Sequence, residues 1–310
     1  MAGNARESDV WMSIDQPVDM PREWGGVIPS EIFLSEAQRI AEEGVKSGLV
    51  LRAMGGVGIR LHSVDHLDLA KRLGRLGVGQ QEFTDLDFMA YKSERKRMRD
   101  FFESIGYLKR RATLSSAASE RQIYLHPKGW FFIDVFFDKL IVANHPIDLR
   151  NRLELDMPTV SVTDLLLEKL QIVNLGEKDL KDTVTLLVAH EVREAEGKES
   201  VNARYVAELL SKDWGFWYTV TNNLRGTAGF AEVAETMTRE EVKLLSSRVN
   251  MLLDRIEKEP KTAGWKMRAV VGPRKRWYAP VETAETVGDF GIWRLVQERK
   301  RQEKKEPGKR

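Results

Sequence analysis

The sequence predicts a mixed α/β fold, with a small mixed sheet flanked by helices and then a helical C-terminal domain. Short apolar runs with strand-like alternation fall between residues 51 and 137. Amphipathic stretches of helical period lie before and among them, and from residue 161 onward the helical period dominates. A chain of 310 residues, 42% of them hydrophobic, can supply a core for one large or two medium domains. The expected division is an irregular lead-in over 1–34, an α/β core over 35–158, a helical domain over 159–258, and an extended insert with a charged tail over 259–310.

Each element has its own signal. Ser35 opens "SEAQRIAEEGVKSG", an amphipathic helix closed by Gly48, with Ala37, Ile40, Ala41 and Val45 along one side. A short apolar strand, "LVLRAM", runs into a glycine turn that starts another helix, and residues 65–76 read as helical. "QEFTDLDFMAY" reads as a buried strand, yet it carries Asp85 and Asp87 facing the same way, since residues i and i+2 share a face. After it come the basic helix "SERKRMRDFFESIGY", ending at Gly106, and three strand-like pieces, "YLKRRATL", "RQIYLHP" and "WFFIDVFFDKL". The intervening "HPKG" predicts an antiparallel hairpin between the last two. In the third piece Asp134 lies between Phe132 and Phe136 on one face, a further carboxylate in an apolar strand. Two further helices, "SVTDLLLEKLQIV" and "EKDLKDTVTLLVAHEV", are separated by a break at Gly176, and more helices run to residue 258.

Composition excludes several classes. The 49 Lys and Arg against 47 Asp and Glu give a net charge of only +2, with no global pull toward nucleic acid or membrane. Any such affinity is local, as in the basic run "KSERKRMR" from Lys92 to Arg99, or "RKRWY" from Arg274 to Tyr278, where Trp277 either stacks on a base or covers the helical domain. The absence of cysteine removes disulfides, thiolate metal sites and thiol nucleophiles. No apolar signal core opens the chain and no run is long enough to span a bilayer, so a cytoplasmic location and no membrane partner are expected. His62 and His66 in "HSVDH" have zinc-compatible spacing without a third ligand, and a packing or surface role is the reading adopted. His126, His145 and His190 are scattered.

Glycines after a strand (Gly55, Gly56, Gly58), an Asp-x-Asp strand and a later strand with one inward Asp suit phosphoryl or nucleotidyl transfer. Backbone amides at a glycine turn approach phosphate oxygens closely. Clustered carboxylates hold Mg²⁺, which prefers oxygen ligands and bridges to phosphates. An alternative for Asp134 is an ion pair with a lysine or arginine across the sheet. For Lys169 it is a side chain snorkelling from the edge of the core.

The pattern resembles the nucleotidyltransferase fold of the DNA polymerase beta superfamily in "MGGVG", "TDLDF" and "FIDVFF". It resembles the AbiEii-like abortive-infection nucleotidyltransferases most closely, through "LLLEKLQIV" and "EKDLKDTVTLL", over roughly residues 35–190. The resemblance implies that Asp85 and Asp87 bind the metals of a Mg²⁺–nucleoside triphosphate complex. Asp134 would complete the second metal site and help to deprotonate a hydroxyl acceptor. Gly55 and Gly56 would contact the triphosphate, Lys169 would contact it or brace the site, and Asp179 and Asp182 match the later motif. Val57 stands where that family usually has Ser or Thr, and Ser63 lies too far along to replace it. The implied activity is transfer of a nucleoside monophosphate to RNA or tRNA, a protein or a small molecule, by a toxin with a cognate antitoxin protein. The alternative is a catalytically silent module of the same fold that binds RNA or a protein.

Overall fold

The computed structural model of the chain describes residues 18–75, 81–110, 121–141 and 143–280. Its architecture is mixed α/β. The main sheet has five strands: β1 (Leu51–Met54), β2 (Asp85–Ala90), β3 (Leu108–Lys109), β4 (Gln122–Leu125) and β5 (Phe132–Phe137), in the order β1-β2-β5-β4-β3. Only the β2–β5 pair is parallel, and the others are antiparallel. The parallel pair sits at the centre, where both faces are covered and long apolar strands are favoured. The hairpin read from "HPKG" joins β4 to β5, with the Gly129 amide donating to the His126 carbonyl at 2.8 Å and Gly129 in the left-handed region at φ 69°.

Strand alternation divides the side chains between two apolar layers. Leu51, Ala53, Leu86, Phe88, Ile133 and Val135 point to one face. There they meet Phe33, Ala37, Ile40 and Ala41 of α1 (Ser30–Lys46), and Met98, Phe101 and Phe102 of α4 (Arg95–Ser104). Phe102 stacks on Tyr124 at 4.1 Å between ring centroids, a close stacked contact within this layer. Met54, Met89 and Phe136 point the other way and join the core of the helical half. That half comprises α5 (Val162–Leu170), α6 (Glu177–Ala189), α7 (Ala203–Leu210), α8 (Trp214–Val233), α9 (Arg239–Lys258) and α10 (Ala263–Val271). Helix α2 (Gly55–His62) contributes to both layers, with Val57 in one and Ile59 in the other, and α3 (Leu67–Leu73) packs into the helical half through Leu69 and Leu73. Two small ribbons, β6 (Lys139–Leu140) with β7 (Ile147–Asp148) and β8 (Glu191–Arg193) with β9 (Ser200–Asn202), complete the described residues.

Three expectations need correction. Helix α1 starts at Ser30, not Ser35, so the lead-in is not irregular to residue 34: Pro29 holds the N-cap position, and Phe33 is fully buried one turn in. At its far end Val45 is 46% exposed and the inward position belongs to Gly44, where an added Cβ would meet Leu51 at 3.4 Å. Within the extended insert and tail expected over 259–310, the described residues contain a helix, α10, whose first turn is capped by the Thr262 side chain accepting from the Trp265 amide at 3.2 Å. Its glycine and β-branched content hides the helical period. Of the strand expected over 107–114, Leu108–Lys109 is strand, and residues 111–114 lie outside the described residues. The tail after residue 280, the first 17 residues and the loop over 76–80 lie outside the described residues. No helix among the described residues is long and apolar enough to cross a membrane.

Candidate functional site

The two aspartates of β2 face away from the α1/α4 layer, as their spacing requires. Asp87 is in register with Asp134 on the parallel neighbour β5, so Asp85, Asp87 and Asp134 share one sheet face. The chain leaves β1 opposite Asp87, with Met54 paired to it, and turns at once into α2. Gly55 makes that turn at φ 66°, and a Cβ there would lie 2.7 Å from Asp87 Oδ2. Glycine is required twice over, for the backbone conformation and for the approach of a carboxylate. Gly55→Ala is therefore expected to lose about 1–2 kcal/mol for the left-handed backbone alone, and more as Asp87 is displaced. Denaturant unfolding of the variant beside wild type reads this loss, and an unchanged midpoint would contradict the geometry. An added Cβ at Gly56 would meet the Arg75 guanidinium at 2.0 Å.

From the opposite side α5 and α6 supply the basic groups. Ser161 caps α5 by accepting from the Asp164 amide at 3.2 Å, which fixes the helix so that Lys169 points back toward the sheet. Lys169 is only 6% exposed. Its Nζ lies 3.1 Å from Asp179, 3.3 Å from Asp182 and 3.9 Å from Glu168. Burial disfavours its charge, but Asp182, Glu168 and Asp179 outweigh that and hold its pKa above the ordinary lysine value. The snorkelling alternative does not describe this side chain: it is the cationic centre of a buried carboxylate cluster. Arg75 donates to Asp182 at 2.8 Å, and Asp182 remains below the usual carboxylate range despite its burial because of Lys169 and Arg75. A polar cleft of about 90 Å³ results, lined by Gly55, Gly56, Arg75, Asp85, Asp87, Lys169 and Lys178 among others.

The cleft is electrostatically strained. Asp87 is raised well above the usual carboxylate value, first by desolvation and then by Asp85, Asp134 and Glu168, with Lys169 opposing. Glu168 accepts from the Gly55 amide at 3.0 Å and is itself raised by burial. Lys178 is lowered, by desolvation and then by Arg75. A set of like charges left partly uncompensated in a cleft is a common mark of a ligand site.

Asp134 departs from the simple three-carboxylate arrangement. Its Oδ2 accepts from Arg121 at 2.8 Å, both side chains are buried, and its Oδ1 has no hydrogen-bond partner. The cross-sheet ion pair raised as an alternative for this residue is thus present. Burial still pushes the Asp134 carboxyl up to about 7, against the opposing pull of Arg121. Among the described residues, the one group of three acidic or histidine side chains with ligand atoms all within 4.8 Å is His62, Asp156 and Glu199, not the three aspartates.

Site residues that the sequence reading missed are Glu168, Arg75, Lys178 and Arg121. Glu168 and Lys178 lie inside "LLLEKLQIV" and "EKDLKDTVTLL", each beside a residue already singled out. Arg75 and Arg121 come from irregular segments with no periodic signal. Val57 is buried against the α1/α4 core and also lines the cleft beside Gly56, giving it an apolar wall there, and Ser63 is buried past the far end of α2. Trp277 donates to Thr219 Oγ1 at 3.0 Å and packs on Tyr218, so it covers the helical half. No family model matches the chain, and no curated protein matches it significantly.

Proposed function

We propose that this protein is a Mg²⁺-dependent nucleotidyltransferase that moves a nucleoside monophosphate from a triphosphate to a hydroxyl acceptor, with release of pyrophosphate. The observation that carries the proposal is the approach of the Gly55 turn to Asp87, in register with Asp134, on a face shared with Asp85. The mixed sheet with this glycine turn agrees with a nucleotidyltransferase fold of the AbiEii-like kind.

The residues fit a hard cation. Asp85 and Asp87 present oxygens into a polar cleft, and Asp134 Oδ1 is an orphaned buried acceptor beside them. When bound, Mg²⁺ would neutralise phosphate charge and polarise the transferred phosphoryl group. The protein's own groups account for the rest. Lys169, Lys178 and Arg75 line the same cleft and offer cationic contacts to triphosphate oxygens. Gly56 and the following amides open α2, where a helix N-terminus favours anions. Asp134, pushed up to about 7, lies near the range wanted of a general base at neutral pH. A cleft of about 90 Å³ is well below the roughly 300–1,000 Å³ of a small-molecule pocket. It accommodates the metal–phosphate end and leaves sugar and base outside it.

Acceptors consistent with the reading are RNA or tRNA, a protein side chain or a small molecule, and a toxin partnered by an antitoxin rests on analogy of fold alone. A second reading, a silent nucleotidyltransferase-like binding module, is favoured by one observation: Arg121 already neutralises Asp134. The test incubates the protein with Mg²⁺, each of the four triphosphates labelled at the α-phosphate, and cell extract. Label is expected on an acceptor with wild type and not with Asp87→Asn. Labelling that persists in the variant would remove Asp87 from the chemistry, and none with any triphosphate would favour the silent module.

A further inference from the structure

At the opposite end of α2 from the glycine turn, four side chains from separate parts of the chain converge. His62 closes the helix, Asp156 precedes α5, His190 follows α6, and Glu199 lies just before β9. His62 Nδ1 is 3.1 Å from Glu199, His190 Nδ1 is 3.3 Å from Glu199 Oε2, and His62 Nε2 is 3.8 Å from Asp156 Oδ2. We propose that His62, Asp156 and Glu199, with His190 as a further ligand, form a binding site for a divalent transition metal of the zinc class, distinct from the aspartate cleft.

The spacing supports this. Zinc bonds of about 2.0–2.1 Å in a tetrahedron put neighbouring ligand atoms about 3.3 Å apart; the Nδ1 atoms of His62 and His190 already lie at that spacing from Glu199, and one ligand atom each of His62, Asp156 and Glu199 lies within 4.8 Å of the other two. Two imidazoles with two carboxylates suit zinc or its neighbours rather than Mg²⁺, which prefers oxygen alone. A histidine–glutamate ion pair accounts for Glu199 but not for Asp156. The Asp156 side chain is 6% exposed, and its Oδ2 has no hydrogen-bond partner; it points at His62 from beyond hydrogen-bond distance. His190 Nε2 is likewise buried without a partner. A buried carboxylate oxygen left unsatisfied is costly unless something charged meets it. Thr159 Oγ1, 2.5 Å from His62 Nε2, could suggest a nucleophile–base pair, but Thr159 is 1% exposed and closed to substrate. Its hydroxyl and the Val160 carbonyl, 3.4 Å away, hold the Nε2 edge of the ring and leave Nδ1, which faces Glu199, as the nitrogen for a metal.

The site gives α2 a fixed C-terminal anchor while its N-terminus carries the glycine turn. The test titrates the untagged full chain, stripped with chelator, with Co²⁺. The expected result is a visible absorption band of a tetrahedral-type complex saturating near one equivalent and displaced by Zn²⁺. Glu199→Gln, at a side chain 62% exposed, should weaken that binding by about tenfold or more with the far-UV circular dichroism of the fold retained, while Asp87→Asn should leave it unchanged. Absence of the band, a band untouched by Glu199→Gln, or a band lost with Asp87→Asn would overturn the proposal.

Discussion

Asp87→Asn is expected to abolish nucleotide transfer while making the metal-free protein more stable. The variant keeps the shape of the side chain beside the Gly55 turn and removes a charge that Asp85, Asp134 and Glu168 all oppose. On the proposed function, in which Asp87 supplies a metal-binding oxygen, its loss should lower turnover at least about a hundredfold. The stability gain should be about 0.5–2 kcal/mol, the size usually seen when a functionally strained site is relieved. Its pH dependence has a definite sign. The folded-state pKa of Asp87 is raised above its unfolded value, so the folded protein binds more protons above the ordinary carboxylate range, and stability falls as pH rises there. The advantage of the variant should therefore be small near pH 4 and larger at pH 8. Urea unfolding of both proteins across that range, without divalent ions, measures it. A variant that is less stable at pH 8 would contradict the electrostatic reading of the cleft.

Lys169→Met should have the largest effect on stability, a loss of about 3–5 kcal/mol. Methionine matches the length and apolar stem of lysine, so the loss reports charge. It leaves Glu168 and Asp179 without their buried cation and Asp182 with Arg75 alone. Because the pKa of Lys169 is raised above its ordinary value, its contribution is fully present below the unfolded lysine pKa and fades only as pH climbs through the higher folded value. The penalty should accordingly be flat from pH 5 to 9. Lys169→Arg restores a charge and should recover part of the stability. A loss under 1 kcal/mol for Lys169→Met would mean that Lys169 is solvated rather than central.

Much of this architecture was legible in the sequence, and the reasons are local. Period-two alternation put Asp85 with Asp87 and Asp134 with Phe136, and the structure sets these on one sheet face because β2 and β5 pair in parallel with Asp87 opposite Asp134. The hairpin at "HPKG" and the break at Gly176 were announced by residues whose backbone preferences leave few choices. Contacts between segments far apart in the chain were not legible. Arg121 reaches Asp134 and Arg75 reaches Asp182 from irregular stretches, where side-chain direction follows from tertiary packing. The surroundings of His62, read as a packing or surface residue, were hidden for the same reason. His62 was compared with His66, four residues away, yet its neighbours are Glu199, 137 residues on, and His190, whose ring centroid lies 5.9 Å from its own. Helix α10 escaped notice because its surface faces solvent at Met267 and Val270, so no polar–apolar alternation marks it.

The most direct measurement is calorimetric titration of the protein with ATP, GTP, CTP and UTP, with Mg²⁺ and then with chelator. If Asp85 and Asp87 hold a metal-bound triphosphate above the Gly55 turn, at least one nucleotide binds with Mg²⁺ and loses most of its affinity without it, and Asp87→Asn removes the difference. No binding of any of the four with Mg²⁺, or equal binding with and without the metal, would contradict the account.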